Sequence, residues 1–133
     1  MPMSQHVILI VDDEVETIEL IRAAFRRSGC AVIGAVTGRD GLCLAREHRP
    51  ALVLIDLMMP ELDGFELCRQ LRDDPLTTHI PRVIFSARES SADQAAALAV
   101  GADRYLVKPV GMKTLVDLVE GLIDQRPAGA DPA

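Results

Sequence analysis

Four short apolar runs in this chain each end on a residue suited to phosphate chemistry. Val7-Ile8-Leu9-Ile10-Val11 ends on Asp12 and Asp13, and Leu52-Val53-Leu54-Ile55 ends on Asp56. Val83-Ile84-Phe85 ends on Ser86, and Tyr105-Leu106-Val107 ends on Lys108 and Pro109. Carboxylates, a hydroxyl and an amine therefore occupy equivalent places in four separate elements. In an open parallel sheet those places lie side by side at the carboxyl edge. The chemistry such a set could perform is acceptance of a phosphoryl group on an aspartate.

The elements that must position these residues follow from the hydrophobic pattern. Residues 7–11 are apolar throughout, as expected for a central parallel strand covered on both faces. Residues 14–27 read as a helix, with Val15, Ile18, Ile21 and Phe25 near 3.6-residue spacing and Ser28-Gly29 as the stop. A strand over 31–36 and a helix over 38–48 follow, the helix with Leu42 and Ala45 inward. A third strand covers 52–56. Asp63 reads as the N-cap of a helix to about residue 72, with Phe65, Cys68 and Leu71 on its buried stripe. Residues 81–86 form a fourth strand. Ser90 or Ser91 caps a helix to about residue 100, stopped by Gly101. Residues 104–107 form a fifth strand, and 112–124 a last helix with Leu115, Leu118, Val119 and Leu122 inward. Five strands alternating with five helices predict an α/β fold with a parallel sheet, helices on both faces and right-handed crossovers.

The pattern does not fix strand order. With the order 2-1-3-4-5, the reversal falls between strands one and three, and Asp12 and Asp13 face Asp56 across a crevice. Two unit charges 4 Å apart repel by about 4 kcal/mol at an effective dielectric near 20. Such a cluster needs a cation, or some members must stay protonated. Hard oxygen ligands with room for water favour Mg²⁺, and Lys108 could add a fixed positive charge. Helix capping alone would explain one aspartate, but not the doubled Asp with Asp56, Ser86 and Lys108.

Composition sets the surroundings. The 133 residues suit one domain, 49% are hydrophobic and 26% charged, close to globular averages. The apolar run at 7–11 is too short for a membrane span or a secretory signal, so a cytoplasmic protein is expected, without membrane contact. A net charge of −6 with no basic tract argues against direct nucleic-acid binding. Cys30, Cys43 and Cys68 have no metal-ligand spacing and read as small buried hydrophobes in a reducing compartment. His6, His48 and His79 read as surface or structural residues. Met58-Met59 stands among hard ligands rather than soft ones. Gly111-Met112-Lys113-Thr114 lacks the earlier glycine of a phosphate-binding loop. Residues 1–126 are expected to form the domain, and 127–133 a frayed tail or the start of a linker.

These residues resemble the receiver domain of two-component response regulators. The resemblance rests on Val11-Asp12-Asp13-Glu14, on Asp56-Leu57-Met58-Met59-Pro60-Glu61-Leu62-Asp63-Gly64, on Phe85-Ser86-Ala87, and on the segment 101–109 ending Lys108-Pro109. It covers about 7–124. It implies a flavodoxin-like (βα)5 fold of three layers, similar to the chemotaxis receiver protein. Asp56 would be phosphorylated by a phosphohistidine of a sensor histidine kinase or histidine phosphotransfer protein. Asp13, Asp56 and the Met58 carbonyl would bind Mg²⁺, with Asp12 acting partly through water. Ser86 and Lys108 would each meet a phosphoryl oxygen, and Lys108-Pro109 would be a cis peptide. Ser86 and Tyr105 would form a switch, changing the face of helix four, strand five and helix five for a downstream partner. Such a domain catalyses only its own phosphorylation and dephosphorylation.

Two departures stand out: the switch hydroxyl is Ser rather than the commoner Thr, and Val110 stands where many members carry an aromatic. Arg88, two residues past Ser86, either tunes the phosphorylation rates or is simply a solvated charge. Two other classes fit less well. A pure interaction module would have lost Asp13, Asp56 or Lys108, and all are present. A phosphatase with an aspartyl nucleophile needs a second acid two positions on, where Met58 stands.

Overall fold

The computed structural model describes residues 6–59 and 61–124. The expected tail at 127–133 and Pro60 of the loop motif lie outside the described residues. β1 (Val7–Val11), β2 (Ala31–Ala35), β3 (Leu52–Ile55), β4 (Arg82–Ser86) and β5 (Arg104–Val107) alternate with α1 (Val15–Ala24), α2 (Gly38–His48), α3 (Gly64–Asp73), α4 (Ser91–Ala99) and α5 (Met112–Asp124). All strand pairs are parallel, in the order β2-β1-β3-β4-β5. The predicted class, the order 2-1-3-4-5 and the helices on both faces are all realised.

Alternation along the strands builds two cores. Leu9, Val11, Val53, Ile55 and Ile84 point to one face, where Leu42 and Ala45 of α2, Leu67 and Leu71 of α3 and Ala97 of α4 cover them. Ile8, Ile10, Leu52, Leu54 and Val83 point to the other, beneath Ile18 and Ile21 of α1 and Leu115 and Val119 of α5. This is why strands that read as continuous apolar runs can be central: both of their faces are dry.

Caps place the helix starts where the sequence put them. The Asp63 carboxylate accepts from Glu66 N–H at 3.0 Å, and Ser90 Oγ accepts from Ala92 and Asp93 at 3.1 and 3.3 Å. Gly101, at φ +114°, follows α4 as the expected stop.

Several expectations need correction. α1 ends at Ala24, not residue 27, because the chain turns at Phe25 and reaches Gly29 at φ +82°. Val15 is 57% exposed rather than inward, since the helix begins at the sheet's edge rather than over it. β2 stops at Ala35, leaving Val36 exposed. Asp56 lies one residue past β3. In α5 the buried stripe is Leu115, Val119 and Ile123, a strict four-residue step, with Leu118 and Leu122 only half-buried. Of the cysteines, Cys68 is buried, Cys30 half-buried and Cys43 exposed on the outer side of α2. Burial pushes the Cys68 thiol up to about 12. No helix among the described residues is long and apolar enough to cross a membrane.

At the sheet edge opposite the strand ends, Arg82 is buried. Its guanidinium donates to the carbonyls of Gly101, Thr78 and Ile80 at 2.7, 3.0 and 3.0 Å. Its own N–H donates to Asp103 at 2.8 Å, and Asp103 N–H returns a bond to the Arg82 carbonyl. One side chain thus ties the α3–β4 and α4–β5 connections together. Replacing it leaves buried carbonyls without donors, at about 1–3 kcal/mol each where no water enters. Arg82→Met is expected to lower stability by about 2–4 kcal/mol in urea denaturation; an unchanged midpoint would contradict this.

Candidate functional site

The sheet's hydrogen-bond ladder continues past the strands and fixes the residues that follow them. Asp12 N–H donates to the Ala35 carbonyl at 3.0 Å, Asp56 N–H to Val11 at 3.0 Å, and Lys108 N–H to Ser86 at 2.8 Å. Three functional backbones are therefore anchored to neighbouring strands, while their side chains leave the carboxyl edge at the point where strand order reverses.

There the predicted residues converge. One carboxylate oxygen from each of Asp12, Asp13 and Asp56 lies within 4.8 Å of the others. Asp12 and Asp56 are buried, at 1% and 6% exposure, while Asp13 is exposed. Lys108 Nζ stands 3.3 Å from Asp12 Oδ2 and 3.8 Å from Asp56 Oδ2. The other oxygen of each buried carboxylate is held locally: Asp12 Oδ1 accepts from Glu14 N–H at 2.9 Å, and Asp56 Oδ1 from Met58 N–H at 3.1 Å. A cleft of about 310 Å³ opens over them, lined by Asp13, Glu14, Asp56, Met58, Ala87 and Lys108.

Burial raises the Asp56 carboxyl above its ordinary 3.8. The Met58 N–H and the Lys108 ammonium oppose that rise, and the charges of Asp12 and Asp13 add to it. One ammonium against three carboxylates leaves an excess of negative charge. The donor set is all hard oxygen, which fits a small divalent cation.

Ser86 is fully buried at the end of β4, and its Oγ accepts from Arg88 N–H at 3.1 Å, so the hydroxyl keeps a proton to donate. The half-buried Tyr105 packs its ring on the α2–α3–α4 core and donates its hydroxyl to the Arg88 carbonyl at 2.7 Å. The Arg88 guanidinium lies 3.7 Å from Asp93 of α4. The Lys108-Pro109 peptide is cis.

The sequence reading gave Gly64 no physical role. A Cβ there would stand 2.7 Å from the Asp56 carbonyl and 2.8 Å from Leu57 Cα. Only glycine lets α3 begin that close to the acidic loop. The loop's Glu61, at φ +66°, was also missed. Its conformation is uncommon without glycine and leaves no pattern in the residue types.

At the reversal of this doubly wound parallel sheet lies a lysine-bearing acidic cleft whose carboxylates could hold a metal ion. The chain belongs to the response regulator receiver domain family, whose model matches residues 8–120. It is 37% identical to Protein PilH of Pseudomonas aeruginosa over 116 residues, 87% of this chain and 96% of that protein. It is 39% identical to response regulator PleD of Caulobacter vibrioides over 103 residues, 77% of this chain but 23% of that protein. The chain spans about half the length of the transcriptional regulators it also matches. The receiver domain of Francisella response regulator 1452 superposes with a TM-score of 0.85 at 29% identity, covering 92% of this chain and all of that one. The family is one of phosphorylation-activated switches that work with kinases or phosphotransfer proteins and with output domains.

The raised Asp56 carboxyl has a consequence for stability. Burial makes the folded state hold the Asp56 proton more tightly than the unfolded chain, whose carboxyl titrates near 3.8. Stability therefore falls as pH rises from that value through the folded one. In chelator-treated protein, Asp56→Asn is expected to melt at a higher temperature than wild type at pH 7. The gain should shrink to nothing as pH falls below 3.8, read as the difference in Tm across pH. A lower Tm for the variant at pH 7 would contradict it.

Proposed function

We propose that Asp56 accepts the phosphoryl group, delivered in the cytoplasm by a phosphohistidine on a sensor histidine kinase or histidine phosphotransfer protein. A carboxylate oxygen of Asp56 forms the new P–O bond as the donor's P–N bond breaks, its electron pair returning to the imidazole. Dephosphorylation attacks the same phosphorus with water and releases the carboxylate. The observation that supports this reading is the grouping of Asp56 with Asp12, Asp13 and Lys108, oxygens within 4.8 Å and an ammonium at 3.8 Å.

Asp12, Asp13, Asp56 and the backbone carbonyl of Met58 would hold Mg²⁺. When bound, that ion supplies charge neutralisation for the transferring oxygens. The protein's own groups do the rest. Lys108 opposes the burial of Asp56 and so keeps an ionised carboxylate available, then pairs with a phosphoryl oxygen. Ser86 donates its hydroxyl proton to another.

Phosphorylation replaces one carboxylate with a group of nearly two charges and three acceptor oxygens. Drawing Ser86 toward it moves the Arg88 peptide, and with it the Tyr105 hydroxyl bond. The surface of α4, β5 and α5 would then change for a downstream protein. No nucleic-acid contact by the domain is part of this reading.

Incubation with Mg²⁺ and a small acyl phosphate, followed by intact-mass measurement, tests it. Wild type is expected to gain one phosphoryl, Asp56→Asn none, and Lys108→Met to react about 10²–10³ times more slowly. Equal labelling of Asp56→Asn would refute the assignment.

A further inference from the structure

Phe85 immediately precedes Ser86 on β4 and is 6% exposed, buried in the core beneath α1 and α5. Lys108 Nζ lies over its ring, 4.8 Å from the centroid. The same ammonium reaches Asp12 at 3.3 Å and Asp56 at 3.8 Å, and its side chain is 21% exposed. The cation is therefore within reach of two carboxylates and an aromatic face at once.

We infer that Phe85 is a positioning residue for phosphoryl transfer to Asp56, its ring serving as the seat of the Lys108 ammonium. The inference rests on the acceptor role proposed for Asp56. The physical argument turns on donors. An ammonium has three N–H groups. A carboxylate that anchors it takes a directed hydrogen bond, whereas a ring face attracts the charge through its quadrupole and binds no single N–H tightly. Phe85 thus keeps Lys108 in place while leaving it a donor for an incoming phosphoryl oxygen. It also removes freedom from a long, flexible side chain before the reaction begins, so that less ordering remains to be done in the transition state. A core-filling role alone would be met by any apolar side chain of similar volume. Attraction of a cation needs the π electrons.

Fluorination separates the two roles, because it drains the ring's electron density while leaving it apolar and nearly the same shape. Phe85 would be replaced site-specifically by 4-fluoro-, 3,4,5-trifluoro- and pentafluorophenylalanine, with Asp56→Asn as the unreactive control. The rate of phosphorylation by a small acyl phosphate at fixed Mg²⁺ is read by intact mass. In that reaction the Asp56 oxygen bonds to phosphorus as the acyl carboxylate leaves. The rate is expected to fall stepwise along the series, by about three- to tenfold at pentafluoro, with Tm nearly constant. A second readout needs no phosphorylation: in metal-free wild type the Lys108 ε-CH₂ protons should be shifted upfield by the ring, and Phe85→Leu should return them to ordinary positions. A flat rate series in protein that phosphorylates normally, or unshifted ε protons, overturns the inference. Absence of phosphate on wild-type Asp56 overturns the acceptor role, and this inference with it.

Discussion

Like charges at close range are the constraint around which this molecule is built. Three carboxylate oxygens share a region less than 5 Å across, two of the carboxylates being buried. Two unit charges about 4 Å apart repel by about 4 kcal/mol at an effective dielectric of 20, a large share of the stability a domain of this size possesses. Separation would relieve it, so something must prevent separation. The ladder bonds of Asp12, Asp56 and Lys108 do so, because each fixes a functional backbone to a strand beside it. Those strands are in turn clamped between two apolar cores. The burial that stabilises the fold is thus also what opposes the repulsion at its edge.

Lys108 relieves part of that repulsion, and it arrives from the far side of the sheet. β5 is an edge strand, and its register with β4 pairs Ser86 with Val107, directly before the lysine. Its ammonium reaches back across β4 to contact Asp12, which follows β1, and Asp56, which follows β3. The charge on Asp56 is therefore coupled electrostatically to the residue that follows β5. Arg88 provides a second link, since its peptide bonds Ser86 on one side and Tyr105 on the other. Two hydrogen bonds through Arg88 thus join Ser86, at the end of β4, to the Tyr105 hydroxyl.

Much of this was legible in the residue types. Asp12, Asp13, Asp56, Ser86 and Lys108 each end an apolar run, and parallel-sheet geometry alone brings such ends together. The helix start at Asp63 was equally plain, and that of α4 was narrowed to Ser90 or Ser91, because a cap is a local hydrogen bond. What escaped the sequence were relations between distant segments. Nothing near Arg82 shows that its guanidinium will serve carbonyls on two separate connections. Phe85 reads as one more core aromatic until its ring is seen beneath Lys108. Val15 and Cys43 were misjudged for a related reason: periodicity tells which face a residue is on, but not how far the neighbouring layer extends over it.

The claim at the centre is that the three carboxylates act as one charge-dense pocket requiring a hard divalent ion. Thermal melting against Mg²⁺ concentration addresses it without any phosphoryl donor. A ligand that binds only the folded state stabilises it by about 2.7 kcal/mol at a hundred times its Kd, enough to raise Tm by about 5 °C or more. The account predicts a saturable rise of that size in wild type that is lost in Asp13→Asn. A wild-type Tm indifferent to Mg²⁺, or a rise fully retained in Asp13→Asn, would contradict it.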